Sequence, residues 1–207
     1  LSLHDALPIW NKFNLNPFEP SEDQLGLNLN FRNSLFFNRG KQNYTTSYTY
    51  LSAETENLQS IGSIASELES HQLSFLHKLA EQWLFSMNAQ TGFNSSSSEN
   101  FTNRNFKIRE EMLKPQISYL FDDSNRVDLF YEFESKDNEV NFPTSLSQNN
   151  FGISWSFNKS QKYAINGELR YIDNDFEGQA FSPVGFQMLE GLQPGSNLTW
   201  NLLFQKK

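Results

Sequence analysis

Arg126, Asp128, Glu132 and Glu134 occupy alternate positions of "RVDLFYEFE", and Asn166, Glu168 and Arg170 occupy alternate positions of "NGELR". Alternation puts each set on one side of an extended chain. Phe130 is the sole break in the first set. A mixed row of carboxylate, amide and guanidinium groups can bias the passage of ions along a wet lumen. It can equally pair off internally as inert filling, and the sequence leaves both readings open. "DNDFEG", Asp173 to Gly178, offers three carboxylates, the oxygen ligands that Ca²⁺ prefers. It lacks the spacing of a defined calcium loop and reads as an exposed acidic loop. His71 and His77 are six apart on one strand face with no third ligand nearby, so they read as ordinary strand residues. Gly191-Leu192-Gln193-Pro194-Gly195 reads as a turn or kink, since a phosphate cradle needs a different glycine pattern and a following helix. No nucleophile, base and orienter trio is visible, so neither catalysis nor a cofactor or metal is expected.

Composition bounds the partners. The 207 residues include 24 acidic and 16 basic side chains, a net charge of −8, which speaks against nucleic acid. Hydrophobic residues are 37% and charged residues 19%, which indicates neither disorder nor a helical membrane protein. No run approaches the roughly 18 to 20 apolar residues of a spanning helix, a test that barrel strands escape. The absence of cysteine removes disulfides, thiolate metal sites and thiol nucleophiles. Aromatics make up 15%, with 20 Phe, and aromatic residues favour strands.

The elements that would position the polar sets repeat along the chain. Leu25, Leu27, Leu29 and Phe31 alternate with polar or small residues. So do Tyr44 to Tyr50, Trp83 to Ala89, Ile117 to Phe121, Val127 to Phe133, Phe151 to Phe157, Tyr163 to Tyr171 and Leu198 to Phe204. This period predicts about nine strands, each with one apolar and one polar face. Tight turns are expected at 38–42, 80–82, 122–125 and 158–161, where Asn, Asp, Ser and Gly gather. Longer polar connections are expected at Ser52–Ser70, Gly92–Asn103, Asn138–Ser147 and Asn174–Pro183, alternating with the short ones as in a membrane meander. From Leu58 to Leu79 the apolar residues also fit a helical period. A strand from His71 preserves the alternation, which confines any helix to Glu56–Glu69.

The question is whether the apolar faces meet lipid or a core. The eleven residues Arg126–Lys136, at about 3.3 Å each and a tilt of about 45°, span roughly 26 Å, close to the apolar band of an outer-membrane barrel. Phe121, Tyr131, Phe157, Tyr163 and Tyr171 lie near expected strand ends, as an interfacial aromatic girdle would. "FSPVGFQMLEGLQPGSNLTWNLLFQKK", "ENFTNRNFKIREEMLKPQISYLF" and "RVDLFYEFESKDN" resemble the barrel-forming C-terminal region of large surface proteins from Bacteroidota-type bacteria. The resemblance covers most of the chain from about Leu25. It implies an outer-membrane location, no catalytic role and further strands beyond Lys207. The chain departs from it by ending in Lys206-Lys207, where the last strand of such barrels ends in an aromatic residue.

The expectation is therefore an all-β, antiparallel up-and-down meander of about nine strands, a partial transmembrane outer-membrane β-barrel. Residues 1–9 resemble translated adapter read-through, 10–23 read as an irregular lead-in, and 24–207 as an incomplete barrel domain. The expected work is to anchor a larger cell-surface protein or to form part of a pore wall, porin-like, with Arg126, Asp128, Glu132, Glu134, Asn166, Glu168 and Arg170 facing the lumen. The partners would be outer-membrane lipid and, through the long loops, other envelope or surface proteins. The rival expectation is a soluble β-sandwich that binds carbohydrate or protein.

Overall fold

The structure is a computed structural model that describes residues 2–3, 9–13, 24–38, 43–59, 62–141, 143–159 and 162–206. Nine long strands follow one another as an antiparallel meander: β3 (Gln24–Phe37), β4 (Tyr44–Gln59), β5 (Gly62–Lys78), β6 (Trp83–Ser98), β7 (Phe106–Asp122), β8 (Asn125–Asn138), β9 (Thr144–Lys159), β10 (Tyr163–Glu177) and β11 (Gly195–Lys206). Each pairs with its neighbours in sequence. Two short segments, β1 (Ser2–Leu3) and β2 (Ile9–Phe13), pair with β3. The rest of the expected lead-in, 14–23, lies outside the described residues. Among the described residues there is one sheet, and it is not closed: β11 pairs with β10 alone. No second sheet faces it.

Register unites the alternating sets. Directly opposed residues of an antiparallel pair share a face. Trp200, Leu169, Ile153, Leu129, Ile117, Phe85, His77 and Tyr44 are opposed in succession across eight strands. Two residues along, Leu198, Tyr171, Phe151 and Tyr131 form the next row. The sets read from the sequence therefore belong to a single apolar face. Many of its residues are exposed, Leu129 57%, Phe151 56% and Trp200 74% accessible, while Phe85, Ile153 and Tyr131 are half-buried. On the opposite face of β8 and β9 the buried residues include Asp128, Glu134, Lys136, Gln148 and Asn150, while Glu132 and Ser154 are half-buried and Arg126 is exposed. A soluble single-layer sheet would show the reverse. Asp128 is held there by Arg126 and Ser154.

Two sequence expectations are corrected. The long connection at Ser52–Ser70, and the helix that could have filled Glu56–Glu69, are absent. β4 and β5 pair from Tyr44 with His77 to Gln59 with Gly62, leaving only 60–61 between them. Ile64, Leu68 and Leu76 had suggested a helix, but each also falls on one side of an extended β5, and pairing with β4 and β6 decides the choice. The other long connections are also shorter than expected, because the strands run into them: β6 reaches Ser98, β9 begins at Thr144 and β10 ends at Glu177. At one end of the sheet the connections are 38–43, 79–82, 123–124 and 160–162; at the other they are 60–61, 99–105, 139–143 and 178–194. The alternation of short and long thus survives chiefly in the last.

Local chemistry explains the remaining irregularities. Pro115 sits within β7, where it has no N–H to give. Pairing with β8 is interrupted at Lys114 and Pro115 while pairing with β6 continues, so the missing donor falls on the β8 side. At the 122–125 turn, Asn125 Nδ2 and the Ser124 N–H donate to the Asp122 carboxylate at 2.6 and 2.8 Å. These bonds hold that carboxyl below its usual range. The 178–194 connection carries the one helix of this region, α1 (Pro183–Leu189). Pro183 opens it, Ser182 Oγ accepts the Gly185 N–H at 3.0 Å, and Glu190 closes it in the left-handed region.

Candidate functional site

The polar face of β7 to β10 is a network rather than a scatter of charges. Arg126 Nε lies 3.0 Å from Asp128 Oδ2, and Ser154 Oγ donates to the same oxygen at 3.2 Å. Lys114 Nζ donates to Glu132 Oε2 at 2.6 Å, and Asn150 Nδ2 to Glu132 Oε1 at 3.2 Å. Arg170 Nε pairs with Glu168 Oε1 at 2.5 Å. Ser156 Oγ donates to Asn166 Oδ1 at 2.8 Å. Gln148 Nε2 donates to Asn174 Oδ1 at 2.8 Å, and Asn174 Nδ2 to the Gln193 carbonyl at 3.0 Å. All seven residues singled out from the sequence lie on this face by register. Asp128 and Glu134 are buried, Glu132, Glu168 and Arg170 half-buried, and Arg126 and Asn166 exposed.

Phe130, the break in the alternation, has a structural cause. Its ring lies over Gly152, where a Cβ would sit 2.1 Å from the ring's Cζ. Lys114 Nζ stands 4.4 Å from the ring centre and Arg170 Cζ 5.4 Å. The aromatic therefore fills the hollow left by a residue without a side chain and has two cations within reach of its ring.

Lys136, two residues beyond Glu134 on the same face and not singled out from the sequence, is the most buried cation among the described residues. Its Nζ lies 2.6 Å from Glu190 Oε1, 3.1 Å from Glu134 Oε2 and 3.4 Å from the Met188 carbonyl. Glu190 closes α1, so Lys136 pins the β10–β11 connection to the polar face. Beside this clamp, Val184, Met188 and Leu189 of α1 pack on Ile108 of β7 and Leu146 of β9, with Phe106 and Phe176 around them. Phe181 and Phe186 of the same connection remain exposed. The connection expected at Asn174–Pro183 lies instead at 178–194, and its helix, beginning where the expected connection ended, folds over the sheet. The sequence signal was present but slight: Leu146 and Ile108 are apolar residues on polar-face positions.

The other candidates do not assemble. Asp173, Asp175 and Glu177 lie in line on one face of β10, two residues apart, and Ser196 Oγ donates to Asp173 Oδ1 at 3.2 Å. His71 and His77 share the apolar face of β5 but stay six residues apart on an extended strand, about 20 Å. No group of three His, Cys, Asp or Glu suited to a metal occurs among the described residues. Chemically, the polar face can neutralise and hold; its cations are each met by a carboxylate. Comparison with family models, curated proteins and solved structures finds no match to this chain.

Proposed function

We propose that this chain is wall of an outer-membrane β-barrel whose work is to hold a larger surface protein in the membrane. The observation that carries the reading is the inversion of burial: a continuous apolar face turned outward and a hydrogen-bonded polar face turned inward. On β7 the apolar rows run from Phe121 to Leu113, and Glu111 follows. Eight residues of rise make about 26 Å along the strand, or about 20 Å across a membrane at a tilt of 35–45°, near the apolar band of such barrels. Aromatics mark both margins. Trp83 and Tyr119 stand 4.9 Å apart, as do Tyr119 and Phe121, beside the short turns. At the other margin the hydroxyls of Tyr131 and Tyr171 reach Asn149 and Ser196, the first polar rows.

Anchoring is favoured over open conduction, because the inner charges pair off and α1 occupies part of that face. The open edges of the sheet need partners on this reading, since unpaired backbone is not tolerated in hydrocarbon. The resemblance to Bacteroidota-type surface proteins belongs to the same proposal.

The test is Trp200, 74% exposed on the apolar face. In the full chain reconstituted in vesicles, with Trp10, Trp83 and Trp155 replaced by Phe, its fluorescence is expected to be quenched by brominated acyl chains and spared by aqueous acrylamide. Strong acrylamide quenching with no effect of bromine would overturn the proposal.

A further inference from the structure

At the upper margin of the apolar face lies a groove of about 470 Å³, within the range of small-molecule sites. Its floor follows β6, where Ala89 stands between Leu73 of β5 and Leu113 of β7, a small residue between two large ones. One row further, Thr91 stands between His71 and Glu111. The groove therefore changes from apolar to polar along its length.

The polar end carries several acceptors beside the Thr91 hydroxyl. His71 Nε2 lies 3.1 Å from Glu69 Oε1, and an ionised carboxylate can only accept, so that nitrogen carries the proton. In the neutral ring Nδ1 then accepts, and the Tyr48 hydroxyl, 2.7 Å away, donates to it. The Tyr48 oxygen keeps its lone pairs, and Glu69 keeps its second oxygen. Glu111, exposed, stands across the groove two strand spacings from His71, about 9–10 Å. No Lys or Arg lines the groove.

We infer that this groove is a lipid site: it takes one acyl chain over Ala89 and a primary ammonium headgroup between Glu111 and the Tyr48–His71–Glu69 relay. The inference rests on the membrane reading above. An ammonium supplies three N–H donors and a positive charge, which match a rim of acceptors and carboxylates. A choline headgroup brings the charge without the donors. A glycerol headgroup brings hydroxyl donors without the positive charge.

The experiment uses the full chain in detergent micelles, with bound lipid counted by native mass spectrometry against ethanolamine, choline and glycerol phospholipids of identical chains. Retention of the ethanolamine lipid is expected to exceed that of the choline lipid about tenfold, the worth of one charge-assisted hydrogen bond. Glu111→Gln is expected to remove most of this preference, and Ala89→Leu, which fills the groove, to reduce retention of all three. Glu111 is exposed, so its variant folds irrespective of the outcome for Ala89→Leu. Equal retention of the three lipids by the unaltered chain, or an undiminished preference in Glu111→Gln, overturns the inference while leaving a membrane-inserted chain intact. A chain that stays monomeric in plain buffer and ignores detergent overturns both readings.

Discussion

Single residues on the polar face hold positions that their neighbours cannot relax around. A Cβ at residue 152 would meet the Phe130 ring at 2.1 Å, and that ring is buried with Lys114 and Arg170 beside it. Gly152→Val is therefore expected to destabilise the fold by about 1–3 kcal/mol, read as a lowered urea midpoint in detergent. Lys136 is a different case. A buried ion pair is weak evidence of stability, but removing one partner strands the other charge. Lys136→Ala leaves Glu134 buried and frees Glu190, at a cost of up to about 3–5 kcal/mol. Part of that loss is local, so limited proteolysis is expected to cut within 178–194 faster in the variant than in the parent chain. Equal cutting rates would mean that the apolar contacts of Met188 and Leu189 hold α1 unaided.

At the scale of strands, the two faces of β8 make opposite demands. Leu129 is exposed, so in water its replacement by Arg should alter stability by no more than about 0.5 kcal/mol. In a bilayer the same change lies near the middle of the apolar rows and is expected to cost about 2–4 kcal/mol. Equilibrium unfolding of Leu129→Arg in vesicles distinguishes the two surroundings directly. The strands also outrun the apolar rows. β6 continues from Thr91 to Ser98 and β10 from Asp173 to Glu177, in mainly polar or acidic residues with Phe93 and Phe176 among them. The hairpins thus stand proud of the belt as paired strand, where loops had been expected. A period-two pattern announces a strand only while apolar residues mark one side. Where both faces are polar, as in Ser95–Ser98, extended structure rests on backbone pairing with a neighbour, which no local pattern reports.

For the whole molecule, the consequence of a single layer is a demand on the surroundings. Its apolar face has no second layer to cover it among the described residues, and its edges are open. The full chain is expected to partition into the detergent-rich phase of a two-phase separation and to precipitate when detergent is removed, observed by gel and light scattering. Its charge is also distributed by level. Above the apolar rows the outward face carries Glu54, Glu56, Glu67, Glu69, Glu111, Asp137, Asp173, Asp175 and Glu177, against Lys107 and Arg109. The net −8 of the chain is thus concentrated toward one end of the sheet.

The alternation of side chains was enough to establish eight of the nine long strands and to sort most of their residues between two faces. Side-chain direction in an extended chain follows from position alone. It was enough, too, to gather Arg126, Asp128, Glu132, Glu134, Asn166, Glu168 and Arg170 on one side. Three things required the folded chain. The choice of strand over helix for 62–78 depended on partners at both edges of β5. The role of Phe130 depended on Gly152, which lies on another strand. The clamp of Lys136 on Glu190 joins residues 54 positions apart. Pairings between distant segments are set by register and by the packing of α1, and neither quantity is encoded in the spacing of residues along any one strand.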